Sequence, residues 1–195
     1  MRCFVAVDLA DEARAAIAAV QAALRAAGPR ADVRWVDPAA LHLTLKFLGS
    51  TDDAQVPQAR DAIATVASSH APFGIGLAGV GAFPNLARPR TMWAGVARGL
   101  RELGLLAADV ERAVLPLGFP LETRPFGGHV TLGRVRSPRG FGRLRDEAAG
   151  FGQQALGDWT VGEIVLYRSH LRSSGPVYEP LARLALGGAP VGGDG

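Results

Sequence analysis

The sequence predicts an α+β fold, and two observations carry that prediction. Segments with strand character outnumber those with helical period, and the helices fall between pairs of strands, which argues against a doubly wound parallel sheet. The chain's 195 residues suffice for one domain, or for one domain made of two half-sized lobes. A core of that size needs no disulfide or metal staple. With 48% hydrophobic and 20% charged residues the composition is globular, not disordered. The most apolar stretch, 73–83, is cut by glycines and falls short of the ~20 residues that a membrane-spanning helix needs. Asp8 interrupts the first apolar run before it could serve as a signal core. The single cysteine, Cys3, cannot form an internal disulfide, so the expected compartment is the cytoplasm.

Residues Cys3–Val7 are short, apolar and β-prone, the marks of a buried strand. Apolar residues at helical spacing (Ala13, Ile17, Val20, Leu24) predict a helix over Asp11–Ala27, with Asp11 as N-cap and Gly28-Pro29 as the stop. Strands follow over Val33–Val36 and Leu41–Leu48, the second ended by Gly49, and a second helix fits within Ala54–Ser69. Strands over Phe73–Val80 and Thr91–Ala97 flank the Pro/Arg-rich loop Pro84–Arg90. A third helix fits Leu100–Leu115, and Pro116–Gly128 reads as a loop with one short strand. His129–Val135 is a strand, Phe141–Ala149 a weak helix, and strands near Trp159–Tyr167 and Tyr178–Ala185 close the fold. The tail 187–195 holds five glycines in nine residues and is expected to be disordered.

Lys46 is the only lysine among 21 basic residues, a bias that reflects composition more than selection for a guanidinium surface. The pI is 9.7, yet the formal net charge is only +3, which favours an anionic partner mildly. Position says more. Arg134, Arg136, Arg139, Arg143 and Arg145 follow one another with no acid between them, either as a solvated face or as an anion-binding one.

Leu41-His42-Leu43-Thr44-Leu45-Lys46-Phe47 alternates strictly, so His42, Thr44 and Lys46 are expected on one strand face and the leucines on the other. Far along the chain the pattern returns as His129-Val130-Thr131-Leu132-Gly133. A single His-x-Thr is a weak signal, since a hydrogen-bonded structural histidine explains it. Two copies, each embedded in aliphatics, are much harder to explain that way.

With both strands in view, the chain resembles the two-histidine phosphoesterases, specifically the LigT-like RNA 2',3'-cyclic phosphodiesterases of bacteria and archaea. The resemblance runs from Arg2-Cys-Phe-Val-Ala-Val-Asp-Leu9 through Trp35 and His42–Gly49 to Gly81-Ala-Phe-Pro84, Pro89-Arg90 and Trp93. It continues in His129-Val-Thr-Leu-Gly-Arg134, Ser169 and Gly175-Pro-Val-Tyr178. One departure is Gly128, where the family commonly has proline.

The resemblance implies a bilobal fold over residues 1–186, two pseudo-symmetric lobes of antiparallel sheet with outer helices around a central cleft. It implies hydrolysis of RNA 2',3'-cyclic phosphate ends to 2'-phosphates, with His42 as proton donor to the leaving 3'-oxygen and His129 as the acceptor that activates water. Imidazole suits either role near neutral pH. Thr44 and Thr131 would donate to the non-bridging phosphate oxygens, and Arg134 matches a family position near the phosphate. Strict alternation from His129 puts Arg134 on the opposite face, so reaching the cleft requires a strand end or a bulge. No cofactor and no metal are expected. The expected partners are RNA or nucleotides ending in a 2',3'-cyclic phosphate, with no membrane and a monomeric protein. The same site run in reverse would join RNA ends through a 2',5' linkage.

Phe4, Trp35, Phe47 and Tyr178 are candidates for stacking on a base, although such aromatics more often belong to the core. His70 and His170 lack a partner motif and are read as structural or exposed. A metal-dependent phosphodiesterase would want clustered ligands, and the close acidic pair Asp52-Asp53 has no histidine at ligand spacing. A non-catalytic RNA-binding module would suit the pI and the arginines but leaves the doubled His-x-Thr without a reason.

Overall fold

The computed structural model describes residues 1–172 and 175–188. In chain order the elements are β1 (Arg2–Asp8), α1 (Asp11–Ala27), β2 (Asp32–Trp35), β3 (His42–Ser50), α2 (Gln55–Ser69), β4 (Phe73–Phe83) and β5 (Thr91–Arg98). They continue as α3 (Leu100–Val114), β6 (His129–Ser137), α4 (Phe141–Gly150), β7 (Ala155–Val161), β8 (Glu163–Arg172) and β9 (Gly175–Ala185). The strands form one antiparallel sheet in the order β7-β4-β5-β6-β3-β1-β8-β9, with β2 also paired to β6. The fold is α+β.

The sheet has two halves. Strands β3, β1, β8 and β9 carry α2 and α3, whereas β7, β4, β5, β6 and β2 carry α1 and α4. Strands β3 and β6 meet at a single residue pair, Leu43 opposite Val130, so the two His-x-Thr segments flank the seam. The helices bury one face of the sheet. Ile17, Leu24, Ile63, Leu103, Leu106 and Leu144 pack against Leu43, Ile75, Met92 and Leu132, all fully buried. Burying each such side chain stabilises the fold by roughly 1.5–3 kcal/mol. On the opposite face of the seam, His42, Thr44, His129 and Thr131 are only half-buried.

Helix α1 follows from its stripe of Ala13, Ile17, Val20 and Leu24, all buried. Asp11 is not its N-cap: Ala10 occupies that position without a side-chain cap bond. Asp11 is instead the first helical residue, where its charge, like that of Glu12, favours the helix dipole. Gly28 ends the helix where a Cβ would stand 2.7 Å from the Leu144 Cβ of α4, so only glycine permits this approach.

The expected single strand over Trp159–Tyr167 is two strands. β7 pairs with β4 at one edge and β8 with β1 in the other half, and the chain crosses between them at Gly162. One glycine between two apolar runs hides a change of partner. The short strand expected within Pro116–Gly128 is absent among the described residues; a 3-10 turn, Leu115–Leu117, ends there in Gly118 with φ of 90°. Of the tail, residues 189–195 lie outside the described residues, while the amides of Gly187 and Gly188 donate to the Ala67 and His70 carbonyls.

Candidate active site: two histidines across the seam of the sheet

Residues directly opposite in an antiparallel pair share a face. Leu43 and Val130 are opposite and buried, so their neighbours His42, Thr44, His129 and Thr131 share the open face, each half-buried. The histidines are held alike. His42 Nδ1 lies 2.8 Å from the Ala40 carbonyl and His129 Nδ1 lies 2.6 Å from the Gly127 carbonyl, in both cases two residues back along the chain. A carbonyl oxygen can only accept, so each Nδ1 carries its proton and donates it. Both rings therefore offer Nε2 as the nitrogen that gains or loses a proton.

Two β-bulges decide which other side chains join them. Between β1 and β3 the register runs Val5 opposite Lys46 and then Ala6 opposite Thr44, which leaves Leu45 as an extra residue. Alternation reverses there, so Lys46 does not share the His42 face. It is 2% exposed on the helix side, with Nζ 2.9 Å from Glu111 Oε1 of α3 and bonded to the Pro120 carbonyl. Burial alone would raise the Glu111 carboxyl; the Lys46 hydrogen bond, the Glu122 amide and the Lys46 charge together hold it below its ordinary value. Phe47 takes the open side and is 58% exposed.

The second bulge acts on Arg134. Trp93 opposes Thr131 and Met92 opposes Gly133, so Leu132 is the extra residue in β6. Leu132 and Gly133 both turn inward, and Arg134 returns to the face of His129 and Thr131. Arg134 thus lies on the face of the two histidines, not opposite it as strict alternation predicts. Its charge reaches Tyr178: burial raises the Tyr178 phenol pKa, and Arg134 partly offsets this.

Aromatic rings wall both histidines. Phe4 and Tyr178 stand 4.8 Å and 5.1 Å from the His42 ring, and Phe83 stands edge-on 5.0 Å from His129. Phe83 leans on Trp93, whose indole covers Gly81 so closely that any Cβ there would strike it. Phe83 escaped the sequence reading, since only its place in Gly81-Ala-Phe-Pro84 hinted at it. Trp35 packs against the core, with the Arg25 guanidinium over its ring, which removes it from the stacking candidates. His70 bonds Asp109 and His170 bonds Glu179, away from the seam.

Burial pushes the His42 imidazole below its ordinary pKa. The Ala40 carbonyl and the Asp8 carboxylate work against this, while Arg14 and His129 add to it. Asp8 lies opposite His42 across β1 and β3, and accepts from the Tyr167 hydroxyl at 2.7 Å and from Arg183 at 3.1 Å. A pocket of about 420 Å³ beside His42 is lined by Asp8, Asp37, Tyr167, Tyr178 and Arg183. Among the described residues no three His, Cys, Asp or Glu side chains converge as metal ligands. No helix of those residues is long and apolar enough to cross a membrane.

The sequence matches the LigT like Phosphoesterase family over residues 7–93 and 96–178, which takes in both histidine strands. The chain belongs to the LigT-like phosphoesterases. An RNA 2',3'-cyclic phosphodiesterase of Geobacillus stearothermophilus is 37% identical over 98% of this chain, which spans 59% of that longer relative. A crystal structure from Thermus thermophilus superimposes with a TM-score of 0.79 at 34% identity, covering 96% of this chain and 99% of that one. Escherichia coli LigT in complex with 3'-AMP gives a TM-score of 0.72 at 28% identity, covering 95% and 97% of the two chains. The LigT-like fold thus accounts for nearly the whole described chain, with its two histidines at the seam of the sheet.

Proposed function

We propose that this protein hydrolyses RNA 2',3'-cyclic phosphate ends to 2'-phosphomonoesters by paired-histidine acid–base catalysis that needs no metal. One observation carries the reading: two imidazoles on one face of adjoining strands, each locked through Nδ1 so that only Nε2 is free, with a threonine hydroxyl beside each. The names of the relatives point to the same substrate. In the reaction, His129 Nε2 takes a proton from water as its oxygen attacks phosphorus. The bond from phosphorus to the 3'-oxygen breaks, and His42 Nε2 gives its proton to that oxygen. Thr44 and Thr131 donate to the non-bridging oxygens, and Arg134 adds its charge. Burial opposes a charged His42 in the cleft; Asp8 and the incoming anionic phosphate favour it. Both histidines come from one chain, which suits a monomer, and the lone Cys3, buried in β1, suits the reducing cytoplasm.

The test is product analysis of an oligonucleotide ending in a 2',3'-cyclic phosphate, incubated with the protein in EDTA. A 2'-phosphate product is expected. Loss of activity on chelation, restored by a divalent ion, would overturn the metal-free mechanism, and binding without turnover would favour an RNA-binding module. The reverse reaction, joining ends through a 2',5' linkage, uses the same groups, but the large excess of water favours hydrolysis.

A further inference from the structure

The arginine-rich segment after Arg134 finds a place on the β2–β6 ribbon. Arg34 of β2 lies directly opposite Arg134 of β6, and both are exposed. Like charges facing each other across a strand pair are destabilising unless an anion joins them. None of the ion pairs among the described residues involves either, nor Arg136, Arg30 or Arg143, whereas Arg98, Arg145 and Arg183 each sit on a carboxylate. The Arg34 guanidinium reaches out of its own half of the sheet: a Cβ on Gly175 of β9 would lie 3.7 Å from it. It therefore spans the cleft three residues from Tyr178, which borders His42.

The ribbon then leads away from the chemistry. Arg136 is exposed two residues beyond Arg134, followed by Asp32 opposite Ser137. Past the ribbon's end, Arg30 and Arg143 flank a hollow of about 220 Å³. On the other side of His42 the pocket carries Asp8 and Asp37 with one cation, Arg183, which is already held by Asp8 and Glu163, so among the described residues it offers a polyanion no unpaired positive charge.

We propose that the β2–β6 ribbon is the track along which the 5'-ward part of a single-stranded RNA substrate leaves the cleft. Arg34 holds the phosphate next to the cyclic end, and Arg136, Arg30 and Arg143 hold those beyond. A chain ending in a 2',3'-cyclic phosphate can extend only on its 5' side, so one basic path is all the cleft requires. The inference rests on the phosphodiesterase reading and narrows its substrate class to oligonucleotides over mononucleotides.

The experiment compares kcat/KM for 2',3'-cyclic CMP with that for a hexanucleotide ending in a 2',3'-cyclic phosphate, at 0.1 M and 1 M salt. The proteins are wild type, the double variant Arg34→Gln/Arg136→Gln, and Arg101→Gln on α3 as control. Each lost phosphate contact flattens the single-strand salt slope by about 0.7. At 0.1 M relative to 1 M salt, the hexanucleotide-to-mononucleotide ratio should fall about 25-fold in the double variant and stay unchanged in the control. An unchanged ratio in the double variant overturns the track. Anisotropy of a labelled hexanucleotide, read over the same salt range, separates the two ideas. If wild type turns over neither substrate, the phosphodiesterase reading fails; the ribbon then stands or falls on whether the double variant loses binding and salt slope.

Discussion

His42 carries the sharpest consequence at the scale of single residues. Its imidazole is held low by burial and partly restored by the Asp8 carboxylate. A bell-shaped pH dependence of kcat/KM is expected, because one histidine must start neutral and the other protonated. The limb belonging to His42 should lie on the acid side of the ordinary imidazole value of about 6.5. Removing the Asp8 charge removes a contribution that favours the imidazolium, so Asp8→Asn should move that limb further toward acid. A limb that stays put, or moves toward alkali, would show that Asp8 does not act on His42. Thr44→Ala and Thr131→Ala each remove one hydrogen bond to a charged oxygen, worth about 1.5–3 kcal/mol, or roughly 10–150-fold in turnover.

At the scale of elements, Lys46 ties β3 to α3 and to the loop that leads into β6. Lys46→Met keeps most of the apolar stem but strands Glu111, which is partly exposed and recovers some hydration. The expected cost is about 1–3 kcal/mol, a loss of roughly 2–12 °C in Tm for a chain of this size. The Glu111 carboxyl is held below its ordinary value, so its share of stability is present above that value and is lost as pH falls through the lower one. The variant's deficit should therefore shrink in thermal melts carried into that acid range; a constant deficit would contradict the ion-pair account. Leu43→Asp, on the buried face of β3, should instead destabilise the fold grossly by burying an unpaired charge.

These elements also show what a sequence can reveal. Helix α1 and the His-x-Thr strands were legible because apolar period and stop signals agree with the packing they find. The bulges at Leu45 and Leu132 were not, because a bulge is a property of two paired strands and each sequence still alternates. The first accounts for the misplaced Lys46, and the second is the bulge that Arg134 requires to reach the cleft. The exchange of partners at Gly162 was hidden for the same reason: pairing lies between segments, not within one.

At the scale of the whole molecule, each half of the sheet supplies one histidine, and the proposed acid–base pair needs both halves. The main core lies on the other face, and on the cleft side His42 borders only a small cluster of Phe4, Ala6, Val165 and Tyr167, so the imidazoles should be removable without unfolding the protein. The most direct test is turnover of a 2',3'-cyclic phosphate by His42→Ala, His129→Ala and the double variant, with melting curves for each. Each single substitution should cost at least about 10²–10⁴-fold, and the double should be little worse than either, because groups that act as a unit are not additive. Melting temperatures should stay near that of the wild type. Near-wild-type turnover by either folded single variant would contradict paired-histidine catalysis at this seam.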